Sequence, residues 1–216
     1  MHRHMTDDPL EVSGTLAGTA GRANYAQFLI DFVRKYVPPN GVILEIGTQV
    51  GGSAITMALT QKAKGSGGMI HCIDPAFVPL KERPDKYRHY PIGSPVADFI
   101  YKKATEHGIR DNITLHPGLS EEVLQVWKPG KIFDMIYIDG DHTYSSIKID
   151  MQWEQYAKEK CIIVLDDWIK PVAKAAMECM AGKEYQFYIK PMAHFMSVAW
   201  LAEEIEERKK KNKERI

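Results

Sequence analysis

The chain has 216 residues, of which 44% are hydrophobic, enough for a single α/β domain with a full core. Lys and Arg together number 28, as do Asp and Glu, so the molecule as a whole offers no field that would draw nucleic acid or an acidic membrane. Its three cysteines, Cys72, Cys161 and Cys179, are far apart and lack metal-ligand spacing, which predicts reduced thiols, buried for the first two.

Residues 1–23 are polar, with glycines at 14, 18 and 21, and predict a flexible lead-in. They lack the apolar core of a signal peptide, and no apolar run in the chain has the length of a membrane span, so a cytoplasmic setting is expected. From Asn24 to Tyr36 the residues Tyr25, Phe28, Leu29, Phe32, Val33 and Tyr36 recur at helical spacing, and Pro38-Pro39-Asn40-Gly41 closes the helix. A helix before the first strand packs near the binding edge of a sheet. Plain packing is the expected role here, with a share in a substrate wall as the alternative.

Val42 to Ile46 reads as the first strand. It runs into Gly47-Thr48-Gln49-Val50-Gly51-Gly52-Ser53 and then a helix through Ala54, Ile55, Met57, Ala58 and Leu59. Strand, glycine loop and helix place backbone N–H groups against a nucleotide-like ligand. The loop is Glu45-x-Gly47-x-x-x-Gly51, wider than the Gly-x-Gly-x-x-Gly that seats a pyrophosphate. A carboxylate before the first glycine would repel a pyrophosphate but suits a ligand with an ammonium group. Met69 to Asp74 is the second strand, and an acid at its end can accept hydrogen bonds from both hydroxyls of a ribose.

Pro75 to Pro95 is irregular, with five prolines and a basic, aromatic middle, and reads either as a lid over the site or as a surface loop. An amphipathic helix, Val96 to His107, follows and stops at Gly108. Asn112 to His116 is a third strand, followed by Pro117-Gly118-Leu119-Ser120 and a helix from Glu121 to Trp127 that Ser120 is expected to cap.

Phe133 to Ile138 is an apolar run of the kind that forms a central parallel strand covered on both faces. It stops at Asp139-Gly140-Asp141-His142, two carboxylates, an imidazole and a hinge, where Asp141 or Thr143 can also cap a helix. That helix is expected to run from Tyr144 to Tyr156. Cys161 to Leu165 is another buried strand and ends in Asp166-Asp167-Trp168. A helix near Val172 to Met180 and two strands, Tyr185 to Ile189 and Phe195 to Leu201, complete the pattern before the charged helix or tail of 203–216. Asp139, Asp141, Asp166 and Asp167 thus converge at one edge of the sheet. Such acids repel unless protons or a cation neutralise them, and oxygen ligands suit Mg²⁺ or a similar divalent ion. The alternative is that some cap helices or pair with Lys170.

In order, VILEIGTQVGGSAI, MIHCID, FDMIYIDGDHTYSSIKID and IIVLDDW resemble the class I S-adenosylmethionine-dependent methyltransferases. The two acidic motifs are similar, more narrowly, to the metal-dependent macrocin O-methyltransferase and cephalosporin hydroxylase group. The resemblance covers about Val42 to Trp168. It implies a Rossmann-like, doubly wound, mostly parallel seven-stranded sheet with an antiparallel last strand, in a methyltransferase domain spanning 24–202. It implies Glu45, Gly47, Thr48, Gly51 and Ser53 around the methionine part of S-adenosylmethionine and Asp74 on the ribose. Gly118 and Ser120 would lie near the adenine, and Asp139 would also touch the cofactor. Asp139, Asp166 and Asp167 would hold Mg²⁺ or a similar cation, with His142 or Asp141 as the base. The expected reaction is methyl transfer to a hydroxyl of a small sugar or catechol-like vicinal diol, by a chain that binds neither nucleic acid nor membrane; a homo-oligomer is left open. The rival readings are a nicotinamide-dependent oxidoreductase, disfavoured by the loop spacing, and a non-catalytic S-adenosylmethionine binder.

Overall fold

Five parallel strands run from one edge of a single sheet, and the central ones have apolar runs buried on both faces. The five are β1 (Val42–Ile46), β2 (Met69–Asp74), β3 (Ile113–Pro117), β4 (Phe133–Ile138) and β5 (Ala157–Leu165), and every residue of β4 is buried. The structure is a computed structural model that describes residues 8–9, 11–12, 23–65, 67–77, 96–183, 185–190 and 196–201. The strand order is β3-β2-β1-β4-β5-β7-β6, where β6 is Tyr185–Lys190 and β7 is Met196–Leu201. The last strand, β7, runs antiparallel to both β5 and β6, as the terminal pair predicts. The chain leaves β1 in one direction through β2 and β3, then returns to β4 on the other side. This reversal opens a crevice at the carboxyl ends of β1 and β4.

Helices cover both faces. On one, α1 (Ala23–Tyr36), α2 (Gly52–Ala63) and α3 (Val96–Glu106) pack Phe28, Leu29, Ile55, Met57 and Ile100 against Ile43, Ile70, Tyr137 and Val164. On the other, α4 (Ser120–Val126), α5 (Tyr144–Asp150) and α6 (Lys170–Met180) pack Val123, Ile147 and Val172 against Leu44, Ile136, Ile138 and Leu165. Alternate residues of each strand feed the two layers, the period-2 rule of a sheet. Burying each such side chain stabilises the fold by about 1.5–3 kcal/mol.

Several elements differ from the sequence pattern, each for a physical reason. The helix expected from Tyr144 to Tyr156 is α5 followed by a 3₁₀ segment, Met151–Tyr156, in which Trp153 is fully buried. Strand β5 begins four residues early, at Ala157, because Lys158, Glu159 and Lys160 are exposed and hide the strand pattern. Val12, in the lead-in expected to be flexible, is 2% exposed and packs in the α1–α3 layer, so the core ties the lead-in down at that point. Segments 78–95 and 202–216 lie outside the described residues, and with them the lid and the charged tail. All three cysteines are free thiols, with Cys72 and Cys161 buried. Among the described residues no helix is long and apolar enough to cross a membrane.

Candidate active site

Four neighbouring strands end level with one another. Ile46 is in register with Ile73 and Ile138, and Ile138 with Leu165. The next residue of each is Gly47, Asp74, Asp139 and Asp166. Main-chain bonds hold this line: Gly47 N–H donates to Ile73 O at 2.9 Å, Asp139 N–H to Ile46 O at 2.8 Å and Asp166 N–H to Ile138 O at 2.9 Å. A cavity of about 890 Å³ opens along it, a volume suited to a cofactor with a small substrate.

The glycine loop forms one end. Gly47, Gln49 and Gly51 all have positive φ, at 90°, 50° and 83°. The turn at Gln49 aims its N–H at Asp74 Oδ2, 2.7 Å away, while Ala76 N–H donates to Asp74 Oδ1 at 2.6 Å. Asp74 is thereby fixed in the cavity wall. Gly47 is required for a reason the sequence does not reveal: a Cβ there would stand 2.1 Å from the carbonyl oxygen of Asp139, so the neighbouring strand end, not a ligand, excludes a side chain. Gly51 does not line the cavity, and its Cβ would meet Ile100 of α3 at 2.7 Å.

Glu45 also stays out of the cavity. It is 0% exposed, beneath the loop, and accepts a hydrogen bond from the Ser53 hydroxyl. Burial pushes its carboxyl up to about 7, against the opposing pull of the Ser53 and Thr48 hydroxyls. Ser53 and Thr48 therefore line the cavity, and Glu45 lies behind the Ser53 hydroxyl.

At the acid end, Asp139 Oδ2 accepts from the hydroxyls of Tyr25, at 3.1 Å, and Tyr137, at 3.0 Å. The His142 ring lies between two carboxylates, Nε2 at 3.6 Å from Asp139 Oδ1 and Nδ1 at 3.3 Å from Asp167 Oδ2. Its pKa is raised, chiefly by the nearby Asp139 carboxylate, with burial acting in the opposite sense. Asp166 is 3% exposed; burial first, then the charge of Asp139, push its carboxyl up. Among the described residues, Asp166 Oδ1 is buried with no hydrogen-bond partner. Asp167 carries a φ of 48°, a conformation that costs a non-glycine residue energy and recurs at functional sites.

Helix α5 closes the third side. Thr143 caps it, its hydroxyl accepting from Ser146 N–H, and Ser146 Oγ–H donates to Asp141 Oδ2 at 3.1 Å. Asp150, on the inward face of α5, is 3% exposed and lines the cavity, and burial pushes its carboxyl up to about 7 against a hydrogen bond with Ser120. Ser120 does not cap α4. The cap position is Leu119, whose N–H donates to Glu122 Oε2 at 2.7 Å, and the Ser120 hydroxyl instead accepts from Trp153 Nε1–H at 2.9 Å.

A family model described as a methyltransferase domain matches residues 44–168, more than half of the chain. The chain belongs to this methyltransferase family. Solved structures agree on the fold. TomG, an O-methyltransferase from Streptomyces achromogenes in complex with SAM, is 17% identical with a TM-score of 0.64, over 91% of each chain. The SAH-bound methyltransferase PaMTH1 of Podospora anserina is 15% identical with a TM-score of 0.61, over 89% of this chain and 86% of its own. An O-methyltransferase from Bacillus cereus in complex with SAH is 16% identical with a TM-score of 0.56, over 91% of this chain and 92% of its own. A comparison with curated proteins gave no match. Family and fold together make this a methyltransferase of class I, Rossmann-like architecture, which sets aside the nicotinamide oxidoreductase.

In this methyltransferase, Gly47, Thr48, Ser53, Asp74, Gly118, Ser120, Asp139, Asp141, His142, Asp166 and Asp167 all line the one cavity, whereas Glu45 and Gly51 do not. The sequence reading missed Tyr25, Ser146 and Asp150. Asp150 had a signal, an acid beside Ile147 and Met151 on the inward side of a helix; Tyr25 had none, since an aromatic residue in an apolar stripe is ordinary core. For a hard divalent cation the chemistry of the donor set fits: three carboxylates, one with a buried oxygen that lacks a partner. The expected cluster is not preformed, because the His142 ring stands between Asp139 and Asp167. Among the described residues no group of three or more His, Cys, Asp or Glu side chains is arranged to hold an ion.

Proposed function

We propose that this methyltransferase moves the methyl group of S-adenosylmethionine to a hydroxyl of a small molecule carrying two neighbouring oxygens, a sugar or catechol-like diol. The observation that carries the reading is a cavity whose lining joins the glycine loop and Asp74 to Asp139, His142, Asp166 and Asp167. The loop end would take the cofactor, with Asp74 on the ribose and the Ser53 and Thr48 hydroxyls, backed by Glu45, toward the ammonium group. Gly118 and Ser120 would border the adenine. Asp139, Asp166 and Asp167 would hold a divalent cation, which supplies a lowered pKa and a fixed direction to the acceptor hydroxyl.

The chain's own residues account for the remaining steps. The acceptor oxygen attacks the sulfonium methyl in line, a C–O bond forms as the C–S bond breaks, and S-adenosylhomocysteine leaves. Alignment for that attack can contribute ~7–11 kcal/mol. The hydroxyl proton passes to a base. His142 is the better placed, because Asp141 is engaged by Ser146 while His142 stands among the acids. The surrounding carboxylates favour its charged form, so neutralising them is what frees Nε2 to accept the proton.

The experiment is transfer of labelled methyl from S-adenosylmethionine across a panel of vicinal diols and catechols, with His142→Ala and Asp141→Ala beside the wild type. One labelled acceptor with most turnover lost in His142→Ala supports the reading. Cofactor binding without transfer to any member would make the protein a binder, and wild-type turnover by His142→Ala alongside an inactive Asp141→Ala would make Asp141 the base. The small-molecule acceptor is the one partner proposed.

A further inference from the structure

Two tyrosines from distant parts of the chain hold one oxygen of Asp139. Tyr137 donates to Oδ2 at 3.0 Å from the same strand, and Tyr25 at 3.1 Å from α1, 114 positions away in sequence. Tyr137 is fully buried, whereas Tyr25 is partly exposed and lines the cavity. The other oxygen, Oδ1, faces His142 Nε2 across 3.6 Å. An unrestrained carboxylate rotates and presents either oxygen. Two O–H donors converging on one of them remove that freedom, and they act on a charged acceptor, where hydrogen bonds are strongest. Packing alone does not ask for the Tyr25 oxygen. A phenylalanine would fill the same place beside Phe28 and Leu29, whereas the hydroxyl is desolvated among the acids Asp139, Asp166 and Glu45.

We propose that Tyr25 is a positioning residue: together with Tyr137 it fills Oδ2 of Asp139, so that Oδ1 alone faces His142 and the reacting atoms. Through this bond α1 belongs to the catalytic assembly and not only to the core. The inference rests on the reading of Asp139 as part of the acid site given above.

The test is Tyr25→Phe in the full chain. Mg²⁺ affinity is measured by calorimetry with S-adenosylmethionine present, and the ring ¹⁵N signals of His142 are recorded by NMR in chelator. Release of Asp139 should weaken Mg²⁺ binding about tenfold. The same release should move the His142 signals, with S-adenosylmethionine affinity kept within about threefold. If the wild type binds no Mg²⁺, the cation reading fails on its own. Tyr25 is then judged by His142 alone: moved signals sustain the proposal and unmoved ones overturn it. Unchanged Mg²⁺ affinity together with unchanged His142 signals, whatever the thermal midpoint, would show that Tyr25 only packs. Should Tyr25→Phe not fold, Tyr137→Phe removes the other donor to the same oxygen and carries the same expectations.

Discussion

Asp74 and Asp166 each close a parallel strand on the same line of the sheet, yet the two ends of the cavity treat their acids differently. Asp74 receives main-chain N–H donors from Gln49 and Ala76, one on each oxygen. Asp166 lies against Asp139, with Asp167 next in the chain and, among the described residues, one of its own oxygens buried without a partner. The loop end is therefore complete as it stands, a negative site already stabilised by fixed dipoles. The acid end stores repulsion that only protons, the His142 imidazolium or a cation can relieve. A loop end that is preorganised and an acid end that is not should respond in opposite ways to substitution.

The largest effect is expected where the two ends touch. Gly47→Val would drive a Cβ into the Asp139 carbonyl at a positive φ, and should cost about 3 kcal/mol or more of unfolding free energy in a denaturant titration. A variant as stable as the wild type would show that the strand ends can part without cost.

Glu45 gives the next. Its pKa is raised from 4.5 to about 7 by burial, so the folded state keeps a proton that the unfolded chain loses. The associated stability is fully present below about pH 4.5 and is lost as the pH rises through about 7. The wild type should lose about 3 kcal/mol more over that window than Glu45→Gln, as read from denaturation midpoints at each pH. His71 acts in the other direction: burial and His116 lower its pKa to about 4, so its contribution is present above 6.5 and lost as the pH falls through 4. The difference between wild type and Glu45→Gln isolates the glutamate.

On the proposed placement of the ribose, Asp74→Ala should weaken S-adenosylmethionine binding by about 10–100-fold in calorimetry, since it would remove the ribose's acceptor and removes the acceptor of two backbone donors. Asp166→Asn should have the smallest effect on stability and the opposite sign. Measured above the raised pKa of the Asp166 carboxyl, where the group is ionised, removing this charge from the acid cluster should raise unfolding free energy by about 1 kcal/mol while turnover falls. A destabilised Asp166→Asn would mean that the cluster is already neutralised within the protein.

The same contrast governs how much the sequence reveals. The acids were legible because each follows an apolar run, and runs that pair in a parallel sheet bring their ends together. Asp74, Asp139 and Asp166 are therefore placed by one-dimensional pattern alone. The mostly parallel order came instead from the family resemblance, and the antiparallel last strand from that resemblance and the hairpin-like terminal pair. The purpose of Gly47 was not, because the atom that forbids a side chain belongs to Asp139, far along the chain. Ser120 looked like a cap, but a buried indole from Trp153 takes its hydroxyl, and only tertiary packing decides between those uses. Tyr25 and Asp150 sit at inward helical positions, where periodicity distinguishes buried from exposed but not core from cavity. The early start of β5 was hidden by three charged residues that solvent tolerates on that part of the strand.

The central claim is that the loop end works alone and the acid end does not. S-adenosylmethionine affinity and methyl transfer measured on the same wild-type sample, first in excess chelator and then in excess Mg²⁺, test it most directly. The account predicts cofactor affinity equal within about threefold in the two conditions, with transfer present only in Mg²⁺. Full transfer in chelator, or cofactor binding that appears only when Mg²⁺ is added, would contradict it.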